Sequence, residues 1–193
     1  MMLRRTAQVN LFVADTGNHT IREVVVSTRA VTTLAGYPGL PGSSDGTGSA
    51  ARFNRPSSIT ADGAGNLFIA DSGNRTIRKL VIETGAVTTV AGSAASAGSL
   101  GPADGVGAAA RFDNPHAIAV DSIGDLFIAD QTTIRKVVID TGVVTTIVGS
   151  WPHAEVILGP LPAGLNSPSG LAVGPDGSLF ITDANENSVL QVH

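Results

Sequence analysis

No cysteine occurs in the 193 residues. That excludes disulfides and thiolate metal sites but leaves the compartment open, since many bacterial exported proteins also lack cysteine. Charged residues make up only 15% and aromatics 4% of the chain. The net charge of -4 gives no electrostatic footprint for nucleic acid or an anionic membrane. No apolar run approaches the ~18 residues that a membrane-spanning helix needs. Residues 1–10 hold two arginines but no apolar stretch of signal-peptide length. A sustained i, i+3, i+4, i+7 apolar pattern is missing, so helix is a poor fit. Neither a Ser-His-Asp constellation nor a nucleophile elbow is present.

What the chain does have is repetition. Leu11-Phe12-Val13-Ala14-Asp15 returns as cores beginning at Leu67, Leu126 and Leu179, in steps of 56, 59 and 53 residues. A period of that length marks one supersecondary unit whose apolar face is buried against the next. Thr20-Ile21-Arg22 recurs as Thr76-Ile77-Arg78 and Thr133-Ile134-Arg135, and the fourth copy, Ser188-Val189, is the most diverged. Val31-Thr32-Thr33, Val87-Thr88-Thr89 and Val144-Thr145-Thr146 follow, and Pro56, Pro115 and Pro168 open the segment before each of the last three cores.

Short apolar, β-branched runs bounded by Gly, Asp and Asn read as strands. In the second unit they fall at about 57–61, 66–71, 76–82 and 86–91. The core strand is apolar at consecutive positions, as expected for a sheet covered on both faces. A four-stranded antiparallel sheet repeated around an axis is a β-propeller blade.

The Pro-x-x-Ile/Leu-Ala-Val-Asp, Asn/Asp-Leu-Phe-Ile-Ala-Asp and Gly-Asn-x-Thr-Ile-Arg-Lys elements resemble NHL repeats. The Asp-Gly-x-Gly-x-Ala-Ala-Arg-Phe insertions at 45–53 and 104–112 resemble the bacterial and teneurin-like versions. The resemblance implies an all-β propeller of four-stranded antiparallel blades, and it implies a secreted or surface location. One NHL-type domain or fragment over 1–193 is expected, with repeats at about 10–36, 56–92, 115–149 and 168–193. The first unit starts at its second strand and the last stops at its third, giving about three and a half blades. NHL propellers usually close with more, so self-association that completes the ring is expected, the rival being a fragment of a longer propeller.

Strand alternation sends the long segments 36–56, 92–115 and 149–168 to one face, where ligand docking is expected. Arg52-Phe53 and Arg111-Phe112 stand in register there, Phe reading as a plug between blades and Arg as a cover. Asp45-Gly46-Thr47-Gly48 and Asp104-Gly105-Val106-Gly107 lack the ligands of a calcium loop and the Gly-Lys-Ser/Thr of a phosphate loop, and read as turns. Asp15, Asp71, Asp130 and Asp183 read as caps of the following turn, and Arg22, Arg78 and Arg135 either as their partners or as covers of the blade edge.

The features that break the repeat are sharper. Pro115-His116 resembles the zinc-binding Pro-His-x-x-Ala segment of the peptidyl-hydroxyglycine lyase domain, a propeller enzyme, but Ser57 and Ser169 fill the equivalent positions. One imidazole is not a catalytic zinc site. Trp151-Pro152-His153, in the third long segment, offers an anchor for a peptide or a stacking surface for a sugar; the alternative is that Trp151 caps its blade. The ligand-face candidates are therefore Arg52, Arg111, His116, Trp151 and His153. The expected function is a non-catalytic binding scaffold for a protein, peptide or glycan, without a cofactor. The alternatives are a lyase- or lactonase-like enzyme with a channel metal on His116, and RNA binding by Arg52, Arg55, Arg75 and Arg111. The scarcity of aromatics weighs against RNA.

Overall fold

Among the described residues, turns divide the chain into sixteen strands. The computed structural model describes residues 10–94, 101–152 and 164–192. The first sheet is β1 (Asn10–Asp15), β2 (Thr20–Val25) and β3 (Ala30–Gly36). The second is β5 (Pro56–Ala61), β6 (Asn66–Asp71), β7 (Thr76–Val81) and β8 (Ala86–Gly92), with the two-residue β4 (Gly46–Thr47) on the outer edge of β8. The third repeats this with β10 (Pro115–Val120), β11 (Leu126–Asp130), β12 (Thr133–Val138) and β13 (Val143–Gly149), edged by β9 (Gly105–Val106). The last is β14 (Pro168–Val173), β15 (Leu179–Asp183) and β16 (Ser188–Val192). The four antiparallel sheets stand as propeller blades, with β1 beside β5, β5 beside β10 and β10 beside β14.

The Asp-Gly segments, expected as turns, also supply an outer strand. Gly46 pairs with Val87 and Thr47 with Ala86, and Gly105 and Val106 pair in the same way with Val144 and Val143. The middle blades are thus five-stranded. A 3-10 turn follows each segment, at Gly48–Ala50 and Gly107–Ala109.

The core lies between the sheets. Ile21 and Ala35 of the first blade meet Leu67, Ile69, Leu80 and Val87 of the second. Phe68, Ile77 and Ala91 meet Ile118, Leu126 and Ile128 across the next gap, and Ala129, Ile134 and Val148 meet Leu179 and Ile181 across the last. Phe53 and Phe112 sit buried in the first two gaps, as the plug reading expects. From Leu67 to Asp71, β6 is buried at every residue, so both its faces are covered.

Candidate functional site

The repeated charges are taken up by structure. Arg78 is fully buried and bonds Asp71 Oδ2 at 2.9 Å and Asp45 Oδ1 at 2.7 Å. Its guanidinium lies 5.2 Å from the centroid of Phe53 and donates to the Arg52 carbonyl at 3.0 Å. Arg135 does the same with Asp130 (3.3 Å), Asp104 (2.9 Å), Phe112 (5.4 Å) and the Arg111 carbonyl (3.0 Å). Asp45 also accepts from the Thr89 amide and hydroxyl, and Asp104 from the Thr146 hydroxyl. The Asp-Gly element is therefore the end of a staple, one carboxylate reaching the buried cation and the outer strand together.

The aspartates differ from the expected turn caps. Asp71 Oδ1 accepts the Asn54 amide at 2.7 Å, and Asp130 Oδ1 accepts the amides of Asp113 and Asn114. Asp183 accepts those of Asn166 and Ser167. These amides belong to the segment entering the same blade, so each carboxylate ties that long segment to its blade. The following turn contributes only side chains, such as Asn74 Nδ2 to Asp71 Oδ2 at 2.7 Å. Burial pushes the carboxyls of Asp71 and Asp130 upward, against the pull of those amides and the neighbouring arginines.

The candidates divide in the same way. Arg52 lies over Tyr37, 5.3 Å from the ring centroid, and donates to the carbonyls of Ser49 and Ala51. Arg111 Nε donates to Gly101 O at 3.3 Å. Trp151 is half exposed and its indole lies against Gly101 of the preceding long segment, where an added Cβ would stand 2.7 Å from the ring. It therefore covers a neighbouring loop and keeps one face open. His153 lies outside the described residues. His116 turns Nδ1 to Asn114 O at 2.9 Å and Nε2 to Pro168 O of the next blade. Both ring nitrogens face carbonyls, so a metal would have to displace one of them. No group of three or more metal-ligating side chains is found among the described residues.

His116 does line a cleft of about 320 Å³ at the inner ends of the second and third blades. Thr16, Arg55, Ser57, Ser72, Gly73 and Asn114 line it as well. Ser57 Oγ lies 2.5 Å from Ser72 Oγ and donates to His116 O at 3.0 Å; Ser72 Oγ donates to Pro115 O at 2.5 Å. The two hydroxyls thus form one hydrogen-bonded chain with the Pro115 and His116 carbonyls. Arg55 entered from the sequence only as one of four arginines of the RNA alternative, and Asn114 was not singled out. The available signal was their place, directly before Pro56 and Pro115, where the long segments dive into the innermost strands.

Known proteins agree with this fold. The model of the teneurin NHL domain matches residues 99–164, and that of the NHL repeat matches 165–192. NHL repeat-containing protein 2 of Bos taurus is 30% identical over 150 residues, covering 72% of this chain and 21% of its own length. A structural genomics protein of unknown function from Bacteroides thetaiotaomicron superposes with a TM-score of 0.74 at 24% identity, over 94% of this chain and 44% of its own. A streptogramin B lyase superposes with a TM-score of 0.59 at 15% identity, over 95% of this chain and 47% of its own. The chain thus spans about a fifth of the curated relative and under half of each of these solved chains. Repeats, blades and family matches agree: this chain belongs to the NHL-repeat β-propellers.

Proposed function

We propose that this chain is a non-catalytic binding scaffold, a single NHL-type domain whose ligand docks on the long-loop face at the cleft beside His116. The observation that carries this reading is where the repeat breaks. Arg78, Arg135 and their aspartates, which recur in register, are consumed by the staples, whereas Arg55, Asn114 and Ser167 all differ, and His116 stands where the neighbouring blades carry Ser57 and Ser169. The cleft gathers four of those six. Binding sites break symmetry in this way, and residues on loops held by a rigid scaffold are suited to it. A metal enzyme would rest on His116, whose ring is already engaged by two carbonyls. RNA binding would draw on Arg52, Arg55, Arg75 and Arg111, of which Arg52, Arg75 and Arg111 are engaged with Tyr37, Asp113 and Gly101.

Screening a small-molecule library against the ¹⁵N-labelled chain tests the reading. Shifts are expected at Thr16, Ser57, Ser72 and His116; shifts confined to the short-turn face around Asp62 and Asp125 would overturn it. Self-association belongs to the same proposal. Leu11 (54% exposed) on the first blade and Val189 (68% exposed) on the last present apolar surface at the two flanks. Light scattering across a concentration series should give a mass near twice 19.5 kDa. A folded monomer at every concentration would end the pairing idea.

A further inference from the structure

Arg55 differs from its counterparts in backbone as well as side chain. Its φ is +53°, in the left-handed region, while Asn114 and Ser167 do not adopt positive φ. The residue before a proline prefers extended backbone, and a long side chain carries a steric penalty at positive φ, so this conformation must be held from outside. Three contacts hold it. The Arg55 amide donates to His19 Nδ1 at 3.0 Å, the Asn54 amide donates to buried Asp71 at 2.7 Å, and the Gly73 amide donates to Asn54 O at 2.8 Å. Gly73 is needed for the last, because an added Cβ would stand 2.6 Å from that carbonyl.

Arg55, held in this way, lines the cleft. Among the described residues, ion pairs engage Arg22, Arg75, Arg78, Arg135 and Lys136, and none engages Arg55. Among the described residues, none that lines the cleft is acidic. Ser57 and Ser72 line it with hydroxyls, which can accept as well as donate, and Asn114 adds an amide that does both. A planar cation beside acceptors suits a carboxylate carried next to N–H or O–H donors. The volume, at the low end for small-molecule sites, suits a dipeptide- or sugar-sized group.

We propose that this cleft binds the carboxylate of a small polar ligand through Arg55, with Ser57, Ser72 and Asn114 reading the adjacent donors. The inference rests on the binding-scaffold reading and names its ligand class. A peptide C-terminus and a uronic acid share this chemistry. The test titrates the 193-residue chain with N-acetyl-alanyl-alanine against its C-terminal amide, and with glucuronate against glucose, following ¹⁵N shifts and heat. The carboxylate member of at least one pair should bind about tenfold more tightly or better, with shifts at Ser57, Ser72 and His116. Which pair responds identifies the source. Arg55→Gln should abolish the preference. Arg55→Gly should abolish it while raising the thermal midpoint, because glycine relieves the left-handed backbone. Equal binding of acid and neutral partner at the cleft would overturn the carboxylate inference and leave the scaffold reading standing. Shifts only outside the cleft would overturn both.

Discussion

The two middle blades and the two flanking blades are written in nearly the same words but are buried differently. In the second blade β6 is covered on both faces and Arg78 is fully buried. In the first blade Leu11 and Val13 of β1 stay open, and Arg22 reaches Asp15 only at 3.7 Å, with side chains 29% and 28% exposed. On the last blade β15 alternates buried and exposed, and Leu190 stands where the others carry arginine. The difference is the staple. Arg78 and Arg135 are each roofed by an Asp-Gly segment and its phenylalanine, and Arg22 has no such roof among the described residues. A repeated motif therefore sets the strand, while the preceding long segment sets how far the motif's charge is withdrawn from water.

The comparison can be broken most directly at the arginines. Arg78→Met leaves Asp71 buried without its cation and should cost about 3–5 kcal/mol in urea unfolding. Arg22→Met, at an exposed pair, should cost less than about 1 kcal/mol. Similar losses would mean that burial does not separate the blades. The aromatic contacts sharpen the same contrast at a comparable or smaller scale. Phe53→Ala empties the gap between the first two blades and should cost about 3–5 kcal/mol. Phe180→Ala, at a side chain 37% exposed, should cost roughly 1 kcal/mol.

Much of this was legible from residue types and spacing. The Leu-Phe-Ile-Ala-Asp cores and the Val-Thr-Thr strands lie where short apolar, β-branched runs and turn residues put them, because local propensity and burial agree there. The pairing of Arg78 with Asp71 was legible too, since both recur in register. The partner of Asp45 was not. Asp45 and Arg78 lie 33 residues apart, and only the folded loop brings the carboxylate to the guanidinium. The cleft was legible only as a face. His116 stood out as a departure from the repeat, but Arg55 looked like any loop arginine. Its left-handed backbone depends on His19, Asp71 and Gly73, contacts set by tertiary structure rather than by sequence neighbours.

The smallest expected effect is in pH, and it separates the two ends of one staple. Asp104 is held below the usual carboxylate range: partial burial acts upward, but the Thr146 hydrogen bonds and Arg135 outweigh it. A carboxyl with a depressed folded value adds stability above its unfolded value, about 3.9, and that stability is lost as pH drops through the folded value. Asp130, pushed upward by burial, has the opposite sign. Its contribution is complete below the unfolded value and is lost as pH rises through the raised folded one. Asp104→Asn should therefore flatten the acid limb of a urea-midpoint profile, by less than about 1 kcal/mol because the side chain is half exposed. An acid limb unchanged in Asp104→Asn would show that the outer carboxylate adds nothing to the staple. Burial of Arg135 beneath Phe112 and Asp130 would then account for the middle blade by itself.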